Sequence, residues 1–343
     1  IIGIATKFFT CTLSVMYREK TKEGEIFGGP MYVIKNGLPK KMLPLAYFFA
    51  LAGMIGCLPA FQSNQLIQIT GDLAFSEIEN FNILGGLVLA GITGFVVIGG
   101  LKRIAEVATF LVPLMGSIYF GAMIIALILN LNLVLPAFKL IFVDAFNGTA
   151  IAGGTFFGVL IYGVRRGAFS NEAGMGTESL VHGVAKVSNP VKQGLVAMTG
   201  PIFDTLIICT ATALMILVSG VWETSSSQGV SLTAEAFSIL LGNFGGLILF
   251  VCVICFGLST IFTYSYYGAS CSRFLFGKFG MKVYIYLYIL SIFIYSIVPI
   301  DIAINIADGA FAMMAIPTLI SALWLAPKVM QASKNYFKLI DNN

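Results

Sequence analysis

The sequence predicts an all-α integral membrane protein, and three observations carry that prediction. Its 343 residues are 58% hydrophobic and only 10% charged, against about 45–50% and about 25% in soluble domains. The apolar residues gather into runs that can cross a bilayer, which takes roughly 17–25 residues per helix. The basic residues fall in every second connection between those runs.

In chain order the runs are about nine. They cover 1–17, 42–71, 82–100, 105–129, 150–167, 194–219, 245–270, 282–299 and 301–326. The first opens mid-pattern at Ile1, with no capping residue, basic leader or cleavage site, so the chain is expected to lack its natural N-terminus. The second contains Pro59, which has no N–H to donate and is expected to kink the helix and free a carbonyl. The stretch 130–148, "NLNLVLPAFKLIFVDAFNG", is too broken by Pro136, Lys139 and Asp144 to span and is expected to form a short interfacial helix.

Charge placement checks the count. Arg18, Lys20, Lys22, Lys35, Lys40 and Lys41 fall in one connection, Lys102 and Arg103 in another, Arg165, Arg166, Lys186 and Lys192 in a third, and Arg273, Lys278 and Lys282 in a fourth. Lys328, Lys334 and Lys338 lie in the tail. The intervening connections carry Asp72, Glu77, Glu79, Glu223 and Glu235 instead. The positive-inside rule places the basic connections and the C-terminus in the cytoplasm of a multi-pass protein of the cell (inner) membrane.

Several function classes fall away. The net charge of +4 is small and scattered, which argues against nucleic-acid binding. The six cysteines sit mostly in apolar runs, where Cys behaves as a small hydrophobe. Cys252 and Cys255 form a CxxC inside an apolar helix, with no second pair and one His in the chain, so no metal or redox centre is expected there. A membrane-embedded enzyme would need clustered acids or a His-rich set, and neither is visible.

A family resemblance then becomes specific. "YREKTKEGEIFGGPMYVIKNGL", "GGLKRIAEVATFLVP", "YGVRRGAFSNEAGMG", "NPVKQGLVAMTGPIFDTLIICTATALMILVSGVW" and "STIFTYSYYG" resemble, in order and spacing, the alanine/glycine:cation symporter family. The resemblance covers essentially the whole chain. It implies a symporter that imports a small neutral amino acid, alanine or glycine, with Na⁺ or H⁺. It implies a LeuT-type inverted-repeat fold with core helices 1 and 6 interrupted at the midplane. Residues 1–343 then form a single transporter domain, with 1–129 as the rest of the first repeat and 150–326 as the second. On this resemblance the chain is expected to lack the family's core helix 1 and part of core helix 2. The partners implied are the amino acid, Na⁺ and the lipid bilayer, with no cofactor beyond the coupling ion.

Transporter sites lie where a membrane helix is interrupted. "AIAGGTFFGVLIYGVRRG", residues 150–167, is the candidate for the interrupted core helix 6, since glycine permits non-helical backbone. Gly153, Gly154, Thr155 and Gly158 would free N–H groups for a carboxylate, and Phe156 or Phe157 would wall the pocket. Close packing of small residues is the alternative. In "GCLPAFQSNQLIQ", Gln62, Ser63 and Asn64 are polar at membrane depth. Gln62 matches a family glutamine expected at the substrate, with an interhelical hydrogen bond as the alternative. The adjoining "CLPAF" departs from the family's usual Gly-rich wording.

The hydroxyls of Ser259 and Thr260 are implied Na⁺ ligands, and the alternative is back-bonding to their own helix. Tyr264 stands one turn on, where the family tends to carry Trp, and would wall the substrate. Asp204, buried in "PIFDTLIICT", is either a coupling-ion or proton site, or an acceptor for Arg165 or Arg166. Asp301, Asn305 and Asp308 share a helix face, with Asp301 expected near the surface and Asp308 paired within the bundle. Lys7 is expected to snorkel or pair. "SNEAGMG" is placed just past the cytoplasmic end of its helix, as a gate or hinge in which glycines turn the chain and Asn171 and Glu172 tie down backbone and the Arg165 and Arg166 side chains. A chain truncated beyond transport and a sodium-independent channel are the remaining alternatives.

Overall fold

A computed structural model describes residues 2–21, 24–75, 78–145, 155–227 and 229–341, and among these the chain is helical apart from one two-stranded ribbon. α1 (Ile2–Met16) leads into an antiparallel ribbon in which β1 (Glu19–Lys20) pairs with β2 (Ile26–Phe27). α2 (Pro30–Gly37) opens on a proline, whose missing N–H costs nothing at a first helical position. A 3₁₀ turn at Lys40–Met42 feeds α3 (Leu43–Gly56).

The expected kink at Pro59 is a full break. α3 ends at Gly56, and α4 (Ala60–Ala74) starts beyond the proline. α5 (Phe81–Val97), α6 (Gly100–Leu129) and α7 (Leu131–Ala145) follow, the last being a helix in the stretch expected to be interfacial. α8 (Thr155–Asn171) and the short α9 (Thr177–His182) flank a non-helical turn. α10 (Pro190–Pro201) begins with the Asn189 side chain accepting the Val191 N–H at 2.9 Å. At Pro201 the ladder loses a donor, and the chain continues as a π-helix over Ile202–Cys209 before α11 (Thr210–Ser219) resumes. α12 (Val221–Thr224) and α13 (Val230–Leu241) precede the two longest elements.

Those two differ from the expected boundaries. α14 (Asn243–Ile297) runs through the anticipated connection around Lys278, interrupted only at Gly277 with φ 67°. Its 55 residues span far more than the ~30 Å of a hydrocarbon core at ~1.5 Å per residue, so the kink separates two crossings. α15 (Ile300–Asp341) likewise continues past Pro327 into what reads as a tail. A proline leaves a helix intact when neighbours satisfy the freed carbonyl, which propensity alone does not foretell. Among the described residues, five helical stretches are long and apolar enough to cross a membrane.

Burial is inside out relative to a soluble protein only at the periphery. Phe95, Phe110, Leu135, Phe244 and Leu323 point outward as lipid-facing side chains. The centre is a dry cluster of Phe49, Met31, Tyr288, Phe311 and Met314, drawn from α2, α3, α14 and α15. A second cluster joins α4, α6, α11, α13 and α14 through Ile69, Tyr119, Met215, Phe237 and Leu249.

One backbone crossing is tight enough to test. Ser14 Oγ on α1 donates to Ser179 O at 2.6 Å and accepts from Gly29 N at 2.6 Å. A Cβ at Gly28 would lie 2.5 Å from Gly183 Cα and 2.8 Å from that same hydroxyl. Gly28→Ala is therefore expected to destabilise by about 1–3 kcal/mol, read as a lower melting temperature of the detergent-purified protein. An unchanged melting point would show that the crossing relaxes freely.

Candidate functional site

The interruption of a membrane helix lies at 172–176, between α8 and α9. Its local cause is legible in the residues. Asn171 Oδ1 accepts the Ala173 N–H at 2.9 Å, an Asx turn that stops the helix. Glu172 then adopts φ 54°, and Gly174 and Gly176 adopt φ 86° and 84°. Glycine takes such angles without steric cost, whereas a non-glycine residue needs outside support. Glu172 has that support. Its carboxylate accepts from Thr177 Oγ1 at 2.6 Å and from the Tyr264 hydroxyl, across on α14, at 2.9 Å.

The turn sits deep in the bundle. Met175 O accepts from Thr318 Oγ1 of α15 at 3.2 Å. A Cβ on Gly176 would lie 2.5 Å from Pro30, 2.7 Å from Thr318 and 3.1 Å from Phe49. Phe49 and Thr318 lie well inside their helices, and Gly174, Met175 and Gly176 are buried. The turn thus follows the end of α8 and is buried among α2, α3 and α15.

Of the break expected at 153–158, the part from Thr155 onward is helical. From Thr155 onward α8 is uninterrupted, with Gly158 inside it, and Phe157 is 70% exposed rather than walling a pocket. Gly153 and Gly154 lie outside the described residues, as do the side chains of Thr155 and Phe156. Isolated glycines weaken a helix without ending it. The interruption instead needed an Asx turn followed by two residues held at positive φ.

Aromatic rings line the break. Phe169, at the end of α8, packs on Phe61 of α4 with centroids 5.8 Å apart and on Phe311 of α15 at 5.4 Å. Phe311 meets the ring of Tyr264 at 6.3 Å. Tyr264 is thus at the interruption, as its sequence context suggests. Gln62 is half-buried beside Phe61, at the start of the second broken element. Ser259 and Thr260 lie about one turn before Tyr264, and both hydroxyls donate to Phe256 O, at 3.0 and 2.9 Å. Each keeps acceptor lone pairs for a cation. The polar neighbours of Gln62 are engaged structurally. Ser63 back-bonds to Pro59 O, and Asn64 donates to Val298 O at 2.7 Å.

The charged groups pair across helices. Arg166 of α8 binds Asp308 of α15, with Arg165 3.9 Å from the same carboxylate, so Asp308 is paired within the bundle. Asp301 is exposed. Asp204, inside the π-helix, accepts from Ser170 at 2.6 Å and Thr205 at 3.1 Å rather than from either arginine. Lys7 of α1 forms a buried ion pair with Glu178 of α9. Cys11, Glu178 and His182 bring possible ligand atoms within 4.8 Å of one another. The Lys7 ammonium already answers that carboxylate, and Gln193 contacts His182 Nδ1.

Sequence reasoning passed over Phe61, Phe169, Phe311, Ser170 and Glu178. The first three are single aromatic residues and carry no local signal of the partners they meet. Glu178 was readable as an acid next to a helix start.

A helix interrupted deep in a bundle, lined by aromatic rings and hydroxyls and surrounded by outward apolar faces, is the architecture of a multi-pass membrane transporter. The comparison with known proteins makes this specific. A profile of the sodium:alanine symporter family matches residues 1–343, and the chain belongs to that family. It is 35% identical to the sodium/alanine symporter AgcS of Methanococcus maripaludis, over 99% of this chain and 76% of that one. It is 37% identical to the uncharacterized transporter YflA of Bacillus subtilis, over 98% and 72%. A probable sodium/glutamine symporter of the same bacterium, GlnT, is 33% identical over 98% and 70%. The chain is thus a cation-coupled amino-acid symporter by family, as the sequence blocks suggested.

The Lys7–Glu178 pair offers a direct test of the packing. Lys7→Met strands Glu178 in a buried site and is expected to cost about 3–5 kcal/mol. Lys7→Met with Glu178→Met removes both charges and should recover most of that loss. Melting temperatures of the two variants in detergent check this, and equal losses in both would show that the pair is uncoupled.

Proposed function

We propose that the protein imports a small neutral amino acid, alanine or glycine, together with Na⁺, by alternating access about the break at 172–176. The observation that carries this reading is the buried interruption itself. Non-helical backbone persists at membrane depth only where it is buried in protein or lines a cavity. The rings of Phe169, Phe311 and Tyr264 offer an apolar surface that suits a small uncharged side chain better than a charged one. Gln62 supplies an amide for the amino or carboxylate group, in place of the contacts first expected from 154–158.

Ser259 and Thr260 are the Na⁺ ligands in this reading, with H⁺ as the alternative coupling ion. Asp204, hydrogen-bonded to Ser170, couples the π-helix to the end of α8, and a proton on it would weaken that tie. Arg165, Arg166 and Asp308 pair beside the break as a gate, and the C-terminus is cytoplasmic. The fold is then of the LeuT type, in the cell membrane, and the protein works without catalytic residues or a cofactor beyond the coupling ion. Ion binding favours the state open to the outside, substrate docking triggers rocking, and both leave inward down the sodium gradient.

Proteoliposomes holding the protein test this directly. Labelled alanine should accumulate when an inward Na⁺ gradient is imposed and should not when it is collapsed. Uptake indifferent to both Na⁺ and H⁺ would sink the reading. Ser259→Ala with Thr260→Ala should raise the half-saturating Na⁺ concentration by about tenfold or more, the loss of ~1.4 kcal/mol or more in ion binding. Phe157→Ala, on the outward face of α8, should leave uptake unchanged, whereas Gly176→Ala, at the break, should abolish it.

A further inference from the structure

We infer that the protein carries a second binding site, separate from the helix break, that holds the phosphate group of an anionic phospholipid. A cavity of about 380 Å³ opens between the ribbon, α2, α3 and the kink in α14. Its wall carries four cationic side chains, Lys20, Lys35, Arg273 and Lys278, against Glu19 on the wall and Glu25 paired with Arg273, a net charge of +2. This is a large excess for a chain whose net charge over all 343 residues is only +4.

The cationic groups are held rather than loose. Lys35 pairs with Glu19 at 2.8 Å. Arg273 pairs with Glu25 at 2.6 Å and lies flat over the ring of Phe27, 3.8 Å from its centroid. A stacked guanidinium keeps its in-plane donors on the edge, the geometry that grips phosphate oxygens. One carboxylate uses only part of its five donors. Lys20, at the end of β1, is exposed at the rim.

The surroundings select a lipid over a free anion. Tyr47, on the cavity wall, is 46% exposed, and Phe48 and Leu51 on the same helix also face outward. On either side of the Gly277 kink, Phe276 and Phe279 are exposed as well. A free phosphate has no use for this apolar flank, whereas acyl chains descending from a bound headgroup would cover it. The site lies on the basic side of the membrane, where a fixed cluster of Lys and Arg attracts anionic headgroups by about 1 kcal/mol per side chain, or roughly fivefold in affinity each.

Native mass spectrometry of the purified protein released from mixed phosphatidylglycerol and phosphatidylethanolamine nanodiscs tests the assignment. The expected result is retention of phosphatidylglycerol over phosphatidylethanolamine. Lys20→Ala with Lys278→Ala should cut that preference by at least about tenfold, while Lys40→Ala with Lys41→Ala, on the same side but outside the cavity, should keep it. Equal retention of the two lipids would overturn the proposal. An equal loss in both double variants would overturn it too, by reducing the site to general surface charge. Displacement of the lipid by millimolar inorganic phosphate would assign the cavity to a soluble anion instead. A melting temperature matching the parent protein confirms that each variant is folded, and Lys20→Gln with Lys278→Gln replaces any that is not.

Discussion

Inside a bilayer every peptide group must find its partner within the protein, and the turn at 172–176 is where that constraint bears hardest. A helix that stops there releases donors and acceptors that water cannot reach. Asn171 takes the Ala173 N–H, Thr318 reaches the Met175 carbonyl, and the Glu172 carboxylate binds the Thr177 and Tyr264 hydroxyls. These contacts come from α14 and α15 as well as from the turn itself. The central packing of those helices and the existence of the interruption therefore depend on one another. Gly176 completes the arrangement by letting α2 and α3 close to van der Waals distance of the backbone.

The few charges near the centre follow the same economy. Arg166–Asp308 ties α8 to α15, and Lys7–Glu178 ties α9 to α1. The two halves of the interrupted helix are thus anchored to different partners. A helix jointed by glycines, with its halves held by separate elements, can transmit the movement of one part of the bundle to the other without breaking a buried ion pair. The π-helix at Ile202–Cys209 adds a second irregularity beside the joint, linked through Asp204 and Ser170. π-helices are uncommon and concentrate at functional sites.

Much of this was legible in order and type and much less so in depth. Hydrophobic runs located the helices, and Pro59 marked a true break. "NEAGMG" was readable as a turn because Asn and Gly have specific backbone preferences. Its burial among α2, α3 and α15 was not legible, because a count of apolar residues treats a polar turn as the end of a span. Gly158 lies inside a helix for the complementary reason, since glycine permits a break and does not impose one. The boundary near Lys278 appears as a sharp kink at Gly277 rather than as a loop, and Arg273 and Lys278 on either side of it face a cavity.

What the sequence by itself determined was the class of solvent and the family. Composition and periodicity dictate a bundle of membrane helices, and five extended blocks of residues specify the symporter lineage. Both are properties summed over long stretches, so they survive local error. Which helix is interrupted at the centre, which rings meet there, and which acid takes which base were decided only in the tertiary structure. Phe61, Phe169, Phe311 and Tyr264 are separated by 108, 142 and 47 positions along the chain in the contacts they make. Asp204 takes the Ser170 hydroxyl, and Asp308 takes the two arginines. Such choices are competitions between partners brought together by packing, and no local pattern of residues encodes their outcome.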